Sequence, residues 1–447
     1  MLRHLLVFAL LATLAACGTV GDYYKQAAGD LKSEWDDRLN TNTRKRFERN
    51  QEAQRTNDPV SLLVHQTTIE ADATTSDIEV VVPLTRANKS WPYQQVAPHQ
   101  HPSLAKGFTN NKVVEIGVRA DDGLRLTSTP VIAKGIIYTL DGKGKIRAKS
   151  LDDPEKTIWN AHIKNADKNR YLGGNIALGD GKLFVTTVQG DVLALTLNTG
   201  ELIWEKQLHL PLKSPPMIYQ GNLFISTSNS QLIVLDGKDG STQWVHRGIP
   251  SKRQSYGTPT PLATEGVVIA AYPSGEIYAL KSVNGDVIWR DFTSDAGLKP
   301  HHVVFDTDAT PVIYRNGLFV VGNTIRGYHL YTGKKWWQRA ISSNKTPWIT
   351  KDFLYVMSDQ NELACLILDS GRIKWVVKFP EGKWSAPVLA GGYLRVVAAN
   401  GKLATVNPQN GKAVDVIDVI KHVYLPPIIV NNRLVLLSNN AEMQVLE

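Results

Sequence analysis

Cysteine is almost absent from this chain of 447 residues, which contains Cys17 and Cys365 and no others. A secreted chain of this size without an available disulfide must be stabilised by packing alone. A helical period is missing from the repeated part of the chain as well, and this excludes alternating β-α-β units. The sequence therefore points to an all-β protein with a large apolar core.

Motifs of common enzymes and metal sites are also missing. The chain has no Gly-x-Ser-x-Gly motif, no phosphate-binding loop and no paired-cysteine zinc spacing. The pairs His99/His101 and His301/His302 could each bind a metal, but neither has a third and fourth ligand at suitable spacing. Solvated loops are the favoured interpretation of both pairs, and we predict neither a metal nor a cofactor.

Basic residues exceed acidic residues only modestly, 50 against 42, for a net charge of +8. Lys252-Arg253 and Lys334-Lys335 are too isolated to form a basic stripe with interleaved aromatics, so nucleic acid is not an expected partner. Proximity to an anionic membrane surface explains the excess equally well.

The N-terminus, MLRHLLVFALLATLAACG, has the pattern of a bacterial lipoprotein signal. Its apolar run from residue 5 to residue 14 is too short to span a bilayer, and small residues precede Cys17 as in a lipobox. We predict that residues 1–16 are removed and that Cys17 is acylated, which anchors the protein without a membrane span. An ordinary signal peptide that happens to contain a cysteine is the alternative.

Residues 17–85 differ in composition from the rest. They are rich in charge and poor in branched apolar residues, although Tyr24, Ala28, Leu31, Trp35 and Leu39 follow a helical spacing. This segment is predicted to be a flexible, partly helical tether, and residues 86–447 are predicted to form the folded body.

The folded body repeats one short pattern, in which a glycine lies four residues before a tryptophan. The pattern occurs at Trp204, Trp244, Trp289, Trp337 and Trp375, and Trp159 occupies a similar position without the glycine. Successive tryptophans are separated by roughly 40 to 50 residues, the length of a four-stranded propeller blade. Their fixed place in every repeat favours packing between blades over a role as aromatic platforms for a ligand.

The ends of the repeat indicate how the ring closes. Asp415 stands where the next tryptophan would be, and the chain then supplies three further strands. A lone strand at residues 111–119, with Val114 in the tryptophan-type position, can complete that last blade. Tryptophan-type positions at 114, 159, 204, 244, 289, 337, 375 and 415 predict an eight-bladed β-propeller of four-stranded antiparallel blades, closed by pairing an N-terminal strand with the C-terminal strands.

The repeat, A/L-x-x-x-[DN]-x-G-x-x-x-W, resembles the PQQ-like propeller repeat from about residue 110 to the C-terminus. Together with the lipobox, it is similar to the BamB family of lipoproteins from the outer-membrane β-barrel assembly machinery. The resemblance implies a non-catalytic scaffold that binds the POTRA domains of the BamA insertase, alongside other lipoproteins of the complex. It also implies that the protein helps to present unfolded outer-membrane proteins and is anchored in the outer membrane, facing the periplasm.

The family resemblance also suggests contact residues. The family's Asp-x-Asp-x-Thr-Pro loop matches DTDATP here, with Asp306 and Asp308. A second contact loop corresponds to SKRQSYGTP, which keeps Gly257, has Tyr256 in place of an arginine, and offers Arg253 as a substitute. A turn-capping role for the two aspartates is an equally supported alternative. Strand addition of a client to a blade edge is another possible binding mode.

Two rival functions belong to other classes. The same repeat occurs in quinoprotein dehydrogenases, which hold PQQ and calcium in the central channel and share a vicinal cysteine pair. That pair is absent, and Cys365, in the alternating strand NELACLIL, is predicted to be a small core residue. A ligand-binding propeller is the third hypothesis.

Overall fold

A computed structural model describes residues 69–92, 101–109, 111–117, 128–163, 173–250, 258–292 and 309–447. Within them, eight four-stranded antiparallel sheets account for all the strands, and the single helical element is a 3₁₀ turn, η1 (Ala73–Thr75). The first strand in the chain, β1 (Asn111–Glu115), belongs to the last sheet. The predicted all-β, eight-bladed architecture is confirmed.

The blades are numbered along the chain, and the strands of each blade are called A to D in chain order. Blade 1 contains β2 (Val131–Ala133), β3 (Ile136–Leu140), β4 (Lys145–Ser150) and β5 (Thr157–His162). Blade 2 contains β6 (Gly174–Gly179), β7 (Lys182–Thr187), β8 (Asp191–Thr196) and β9 (Leu202–Gln207). Blade 3 contains β10 (Met217–Tyr219), β11 (Asn222–Ser226), β12 (Gln231–Asp236) and β13 (Thr242–Arg247). Blade 4 contains β14 (Leu262–Thr264), β15 (Val267–Ala271), β16 (Glu276–Lys281) and β17 (Val287–Phe292).

The second half of the ring follows the same plan. Blade 5 contains β18 (Val312–Tyr314), β19 (Gly317–Val320), β20 (Ile325–His329) and β21 (Lys335–Arg339). Blade 6 contains β22 (Trp348–Thr350), β23 (Phe353–Met357), β24 (Glu362–Ile367) and β25 (Ile373–Lys378). Blade 7 contains β26 (Val388–Ala390), β27 (Tyr393–Ala398), β28 (Lys402–Val406) and β29 (Ala413–Asp418). Blade 8 contains β30 (Ile428–Val430), β31 (Arg433–Leu437) and β32 (Glu442–Leu446), and takes β1 as its D strand.

Burial differs sharply between the inner and outer strands. A strands of neighbouring blades contact one another, which places them around the axis, whereas the D strands are largely exposed. In blades 1 to 7 the pairing of strands C and D contains a β-bulge at the same register. A bulge disrupts the ladder and bends the strand, so it makes the exposed outer edge a poor template for aggregation.

The ring closes through β1 and β32, which pair in register from Asn111↔Leu446 to Glu115↔Glu442. Beyond the strands, the Gln444 amide donates to the Asn111 side-chain oxygen at 2.8 Å. The position predicted for Val114 needs correction. Lys112 pairs with Val445 at the register where Trp375 pairs with Cys365, so Lys112 takes the tryptophan position. Its Nζ lies 3.3 Å from the Asp153 carboxylate of blade 1.

The six repeat tryptophans lie at the junctions between blades. Each donates its indole N–H, over 2.7 to 3.2 Å, to a backbone carbonyl of the following blade, and the pairs are Trp159–Leu197, Trp204–Gly237, Trp244–Ser282, Trp289–Leu330, Trp337–Leu368 and Trp375–Pro408. Each indole also covers a glycine of that blade, and these glycines are Gly200, Gly240, Gly285, Gly333, Gly371 and Gly411. One blade's C–D turn is thus fixed to the D strand of the blade before it.

Residues 69–92 and 101–109 form a segment that we call the strap. It begins on blade 6, where the Asp72 N–H donates to the Ile373 carbonyl and Lys374 Nζ donates to the Thr75 carbonyl. Ile78, Val80 and Val82 then pack on the core of the neighbouring blades. The described end of the predicted 17–85 tether is therefore bonded to the propeller, and these residues belong with the ring.

The strap continues across blades 7, 8, 1 and 2. The Asn88 amide donates to the Ile429 carbonyl of blade 8, and Trp91 forms a two-bond antiparallel bridge with Ile132 on the axial edge of blade 1. The Pro92 carbonyl accepts from the Leu178 N–H of blade 2. These contacts run over the closure between blade 8 and blade 1, so the strap ties together the blades that the closure joins.

His101 fastens the strap to blade 7. Its Nδ1 donates to the Pro83 carbonyl at 2.5 Å, and its Nε2 accepts from the Gly392 N–H at 2.8 Å. The His101 imidazole is buried, and both of its nitrogens are hydrogen-bonded inside the protein. The solvated-loop prediction for this histidine is therefore wrong. His99, His301 and His302 lie outside the described residues.

Candidate partner-binding face

The two faces of the ring carry different kinds of loop. In an antiparallel blade the A–B and C–D turns lie on one face, here called the turn face. The B–C turns and the connections between successive blades lie on the opposite face, here called the connection face. This division decides where the residues predicted to bind a partner belong.

The predicted contact residues fall in two neighbouring connections. Arg253, Tyr256 and Gly257 lie between β13 and β14, and Asp306 and Asp308 lie between β17 and β18. All five, and Cys17, are outside the described residues, so their assignments stay predictions. The strand ends that flank both connections belong to blades 3, 4 and 5 and lie on the connection face.

A buried carboxylate holds the start of the first connection. Glu276, the first residue of β16, is 1% exposed, and its Oε2 accepts from the Ile249 N–H at 2.5 Å and from the Ser274 hydroxyl at 2.9 Å. Its Oε1 accepts from the Tyr278 hydroxyl at 2.7 Å. Gly248 lies so close that a Cβ there would meet Glu276 Oε2 at 2.8 Å. These bonds fix the backbone of blade 3 to blade 4 where the connection leaves the ring.

Aromatic side chains complete this junction. His246 Nδ1 lies 2.7 Å from the Tyr272 hydroxyl, and the His246 ring is 4.5 Å from that of Tyr278. Burial lowers the pKa of His246, and the negative charge of Glu276 opposes part of that shift. Burial also raises the pKa of both tyrosines, with Glu276 contributing in the same direction. The phenols therefore stay protonated, and Tyr278 donates its hydroxyl hydrogen to Glu276.

A buried arginine fixes the backbone at the start of the second connection, as Glu276 does at the first. Arg326 of β20 is 2% exposed, and its Nη1 donates to the Phe292 carbonyl at 2.7 Å. Phe292 is the last described residue before the connection that contains Asp306 and Asp308. Tyr328 stacks on Trp289 with ring centroids 5.9 Å apart, and burial together with the negative charge of Asp291 raises its pKa.

At two further junctions, a C-strand side chain also bonds to the backbone just after the D strand of the preceding blade. Arg147 of β4 donates to the Ile116 carbonyl at 3.0 Å, and the Gln444 side-chain oxygen accepts from the Ile420 N–H at 2.8 Å. All four anchoring side chains stand at alternate positions of a C strand, so they point to the same side of it. A C strand thus often reaches back to the D strand of the preceding blade.

Sequence reasoning missed these anchors. The signal was a charged or amide residue within an otherwise apolar C strand, as in EIYALK for Glu276 and IRGYH for Arg326. In an alternating strand such a residue normally belongs to the exposed face. The distinguishing feature is that its neighbours on both sides are buried.

Two potentially reactive side chains of the described residues lie inside the ring. Glu276 accepts hydrogen bonds from three donors, and Cys365 is buried in β24, where burial raises the pKa of its thiol. No three His, Cys, Asp or Glu side chains of the described residues lie together in a way that could hold a metal ion. The described part of the chain also contains no helix with the length and hydropathy of a membrane span.

Comparison with known proteins identifies the family. The model of the outer membrane protein assembly factor BamB matches residues 142–377, which is more than half of the chain. The chain belongs to the BamB family. The match covers blades 2 to 5 in full and most of blades 1 and 6, including the two connections discussed above.

Individual BamB relatives are distant in sequence. The BamB proteins of Yersinia pestis and Escherichia coli are 24% and 25% identical to this chain, over 62% and 64% of its length and 73% and 75% of theirs. An uncharacterised protein of Rickettsia prowazekii, RP232, is 28% identical over 56% of this chain. That alignment spans 62% of the rickettsial protein, less than two thirds of its length.

Solved structures share the fold. BamB from Moraxella catarrhalis superposes with a TM-score of 0.64 at 19% identity, over 75% of this chain and all of the other. A quinohemoprotein alcohol dehydrogenase from Comamonas testosteroni gives 0.62 at 12% identity, over 78% of this chain and 76% of the enzyme. The fold of this BamB-family member is therefore common to BamB proteins and to enzymes, and it does not by itself decide the function.

Proposed function

We propose that this chain is a non-catalytic lipoprotein scaffold of the outer-membrane β-barrel assembly complex. The observation that supports the proposal most strongly is the match of residues 142–377 to the BamB assembly factor. In this role the ring binds the POTRA domains of the BamA insertase, alongside the other lipoproteins of the complex. It thereby aids the delivery and insertion of unfolded outer-membrane proteins.

The proposed docking site is the connection face of blades 3 to 5. Asp306 and Asp308 would pair with basic residues of the insertase, and Arg253, Tyr256 and Gly257 would contribute a second contact from the neighbouring connection. The buried bonds of Glu276 and Arg326 support this assignment because they fix the chain where each connection starts. A rigid origin lowers the entropic cost of holding a binding loop in place.

A pull-down through a C-terminal tag tests the docking site. The double variant Asp306→Ala/Asp308→Ala should recover at least about tenfold less insertase than the wild type, because loss of interfacial charge pairs costs several kcal/mol. Glu201→Ala/Glu205→Ala removes two exposed carboxylates from blade 2 and should leave recovery unchanged. Full recovery with the first variant would refute the site, and failure of the wild type to recover insertase would refute the scaffold.

Membrane attachment through Cys17 is the second part of the proposal. Residues 1–16 would be cleaved, and the acylated Cys17 would hold the ring at the outer membrane, facing the periplasm. Metabolic labelling with palmitate should mark the wild type and not Cys17→Ser, which should also leave the membrane fraction. Equal labelling of the two proteins would contradict the anchor.

Shared fold with quinohemoprotein enzymes makes one alternative worth testing directly. A quinoprotein dehydrogenase would show visible absorbance and reduce an artificial electron acceptor once PQQ and Ca²⁺ are added. A small-molecule-binding propeller would instead be stabilised against heat by its ligand. The scaffold proposal expects neither response.

A further inference from the structure

The outer edge of blade 5 exposes a cluster of aromatic and basic side chains that the docking proposal does not use. We call Arg315, Tyr331, Lys334, Lys335 and Trp336 the blade-5 patch. Tyr331 and Trp336 are 38% and 39% exposed, and the arginine side chain is 57% exposed. Both lysines are exposed as well. Exposed apolar side chains that lie together and are rimmed by polar residues are typical of interaction sites.

Local geometry holds the patch together. The His329 ring lies 6.2 Å from Tyr331 and 6.1 Å from Trp336, edge-on in both cases, so it bridges the two. Arg315 lies over the Tyr314 ring at 5.0 Å and is 3.7 Å from the Asp352 carboxylate of blade 6. Trp336 is the extra residue at the β-bulge of β21, and its inner edge packs on Phe319. The outer edge of the indole is therefore presented to solvent by a fixed backbone.

Blade 5 differs from the other blades in charge. It has no Asp or Glu from Ala309 to Pro347, whereas every other blade has at least two within its strands and turns. Arg326 and Arg339 are bonded to backbone carbonyls, so Arg315, Lys334 and Lys335 provide its outward positive charge. Arg315 shares its charge with Asp352 of blade 6, and Lys334 and Lys335 leave this rim net positive, which attracts an anionic surface.

The bulge position shows that the aromatic ring is particular to this blade. The corresponding residues of the other bulges are Ile158, Ile203, Gln243, Ile288, Lys374 and Val414. None of these six residues is aromatic. Lys374, the only charged one, donates to the Thr75 carbonyl of the strap. Tryptophan and tyrosine beside lysine and arginine form the composition that places a protein surface at the headgroup level of a membrane.

The strap brings the N-terminal side of the chain to the same place. Ile69, the first described residue, packs with Tyr314 and Ile373 against the apolar cluster shared by blades 5 and 6. The described chain therefore begins against an apolar cluster to which blade 5, the blade of the patch, contributes.

We propose that the blade-5 patch contacts the anionic phospholipid surface of the membrane in which the protein is anchored. The inference rests on the proposed membrane location. The A–B and C–D turns that carry Arg315, Tyr331 and Lys334 belong to the turn face, so contact there leaves the connection face free for the insertase. Trp336 and Tyr331 enter the headgroup region, and the lysines and Arg315 pair with lipid phosphates.

Site-specific fluorescence tests this contact in the full-length protein, purified after the cell has processed and acylated it. An environment-sensitive fluorophore is placed at Thr332→Cys in blade 5 or at Thr199→Cys, its register equivalent in blade 2. Cys365 is buried and Cys17 is taken up by acylation, so labelling is specific. The label at 332 should brighten in vesicles of phosphatidylcholine with phosphatidylglycerol, much less in phosphatidylcholine alone, and the gain should disappear at high salt. The label at 199 should not respond.

Charge reversal supplies the second readout. Lys334→Glu/Lys335→Glu should abolish the response at 332, since each lysine near an anionic surface is worth about 1 kcal/mol, or about fivefold. Lys156→Glu, at the position of Lys334 in the opposite blade 1, should not affect it. Equal responses at 332 and 199, or no lipid dependence, would overturn the inference. The inference would also be overturned if Lys334→Glu/Lys335→Glu lost the insertase in the pull-down while the fluorescence response at 332 stayed unchanged. That result would identify an acidic protein as the partner of the patch. Loss of insertase binding in Asp306→Ala/Asp308→Ala with a normal lipid response keeps the two proposals separate.

Discussion

At six junctions of the ring, a glycine of one blade lies under the indole of the blade before it. At Gly200, an added Cβ would lie 2.5 Å from Trp159, and the backbone has φ +74°. The glycine thus meets two requirements at once: a left-handed turn and the close approach of an aromatic ring. The repeat G-x-x-x-W was read as one unit, but its glycine and its tryptophan serve different junctions.

The two requirements can be separated by mutation within blade 2. Gly200→Ala should lower the free energy of unfolding by about 2–4 kcal/mol, because a positive φ costs about 1 kcal/mol and overpacking against Trp159 adds about 1–3 kcal/mol. Gly181 has φ +73° with nothing within 4 Å of the added Cβ, so Gly181→Ala should cost about 1 kcal/mol. Urea denaturation measures both values. Equal losses would show that contact with the indole is not what selects glycine.

Sequence reasoning at this scale found the tryptophans but not their partners. The indole of Trp289 bonds to Leu330, about forty residues further along, and no local pattern announces such a contact. The buried anchors Glu276 and Arg326 were missed for a similar reason. Whether a charged side chain in a strand points to solvent or to a neighbouring blade depends on the ring as a whole.

Among the elements, the strap departs most from expectation. Its composition, rich in Asp, Glu, Ser and Thr, is typical of a solvated segment. Within SDIEVVVP, however, Ile78, Val80 and Val82 alternate with outward residues and pack on the ring. An alternation over so few residues is too short to predict a buried segment against this composition. The surface on which these residues pack is also formed by blades far along the chain.

His101 should make attachment of the strap sensitive to pH. Its Nε2 accepts from the Gly392 N–H, so the bound imidazole must be neutral, and burial lowers the pKa of His101 below its ordinary value of 6.5, partly opposed by the bond to Pro83. A folded pKa below the free value means that full attachment is present above pH 6.5 and weakens as the pH falls below it. Charged neighbours contribute little, since Arg86 meets His101 through its backbone.

Hydrogen exchange at the Gly392 amide reports this directly. After correction for intrinsic rates, exchange should accelerate as the pH falls from about 6.5 to about 5.5, by up to tenfold per pH unit. The variant His101→Gln can form similar bonds without titrating, so its exchange should be nearly independent of pH. The local amide is the right probe because His246 titrates in the same direction elsewhere in the ring. If exchange at the Gly392 amide of the wild type did not depend on pH, the role expected for His101 in attaching the strap would be contradicted.

The closure was predicted in kind but not in register. Counting from Trp159 placed Val114 at the tryptophan position, whereas the ladder gives Lys112. Pairing of β1 with β32 has no bulge, unlike the C–D pairing of the other blades. The separation between successive repeat tryptophans varies from 38 to 48 residues, so a count from Trp159 cannot fix the register to the residue. An ion pair from Lys112 to Asp153 replaces the indole contact there.

For the whole molecule, the spacing of the tryptophans and the incomplete last blade were enough to predict eight blades and their closure. Such repeats are readable because each blade restates the same local pattern and contacts mainly its neighbours. The candidate contact residues could not be derived in this way. They lie in connections that differ from blade to blade, and their assignment comes from family resemblance alone.

Together, the two proposals assign different tasks to two parts of the ring. The insertase would dock on the connection face, and the rim of blade 5 would contact lipid. A ring anchored through Cys17 could then bind both at once.

Site-specific photo-crosslinking in intact cells tests the central claim most directly. A photoreactive amino acid is placed at residue 306, within the connection between β17 and β18, or at residue 199 on the turn face of blade 2. The account predicts a covalent adduct with the BamA insertase from position 306 and none from position 199. An adduct from position 199 alone, or no adduct from either position in a folded protein, would contradict it.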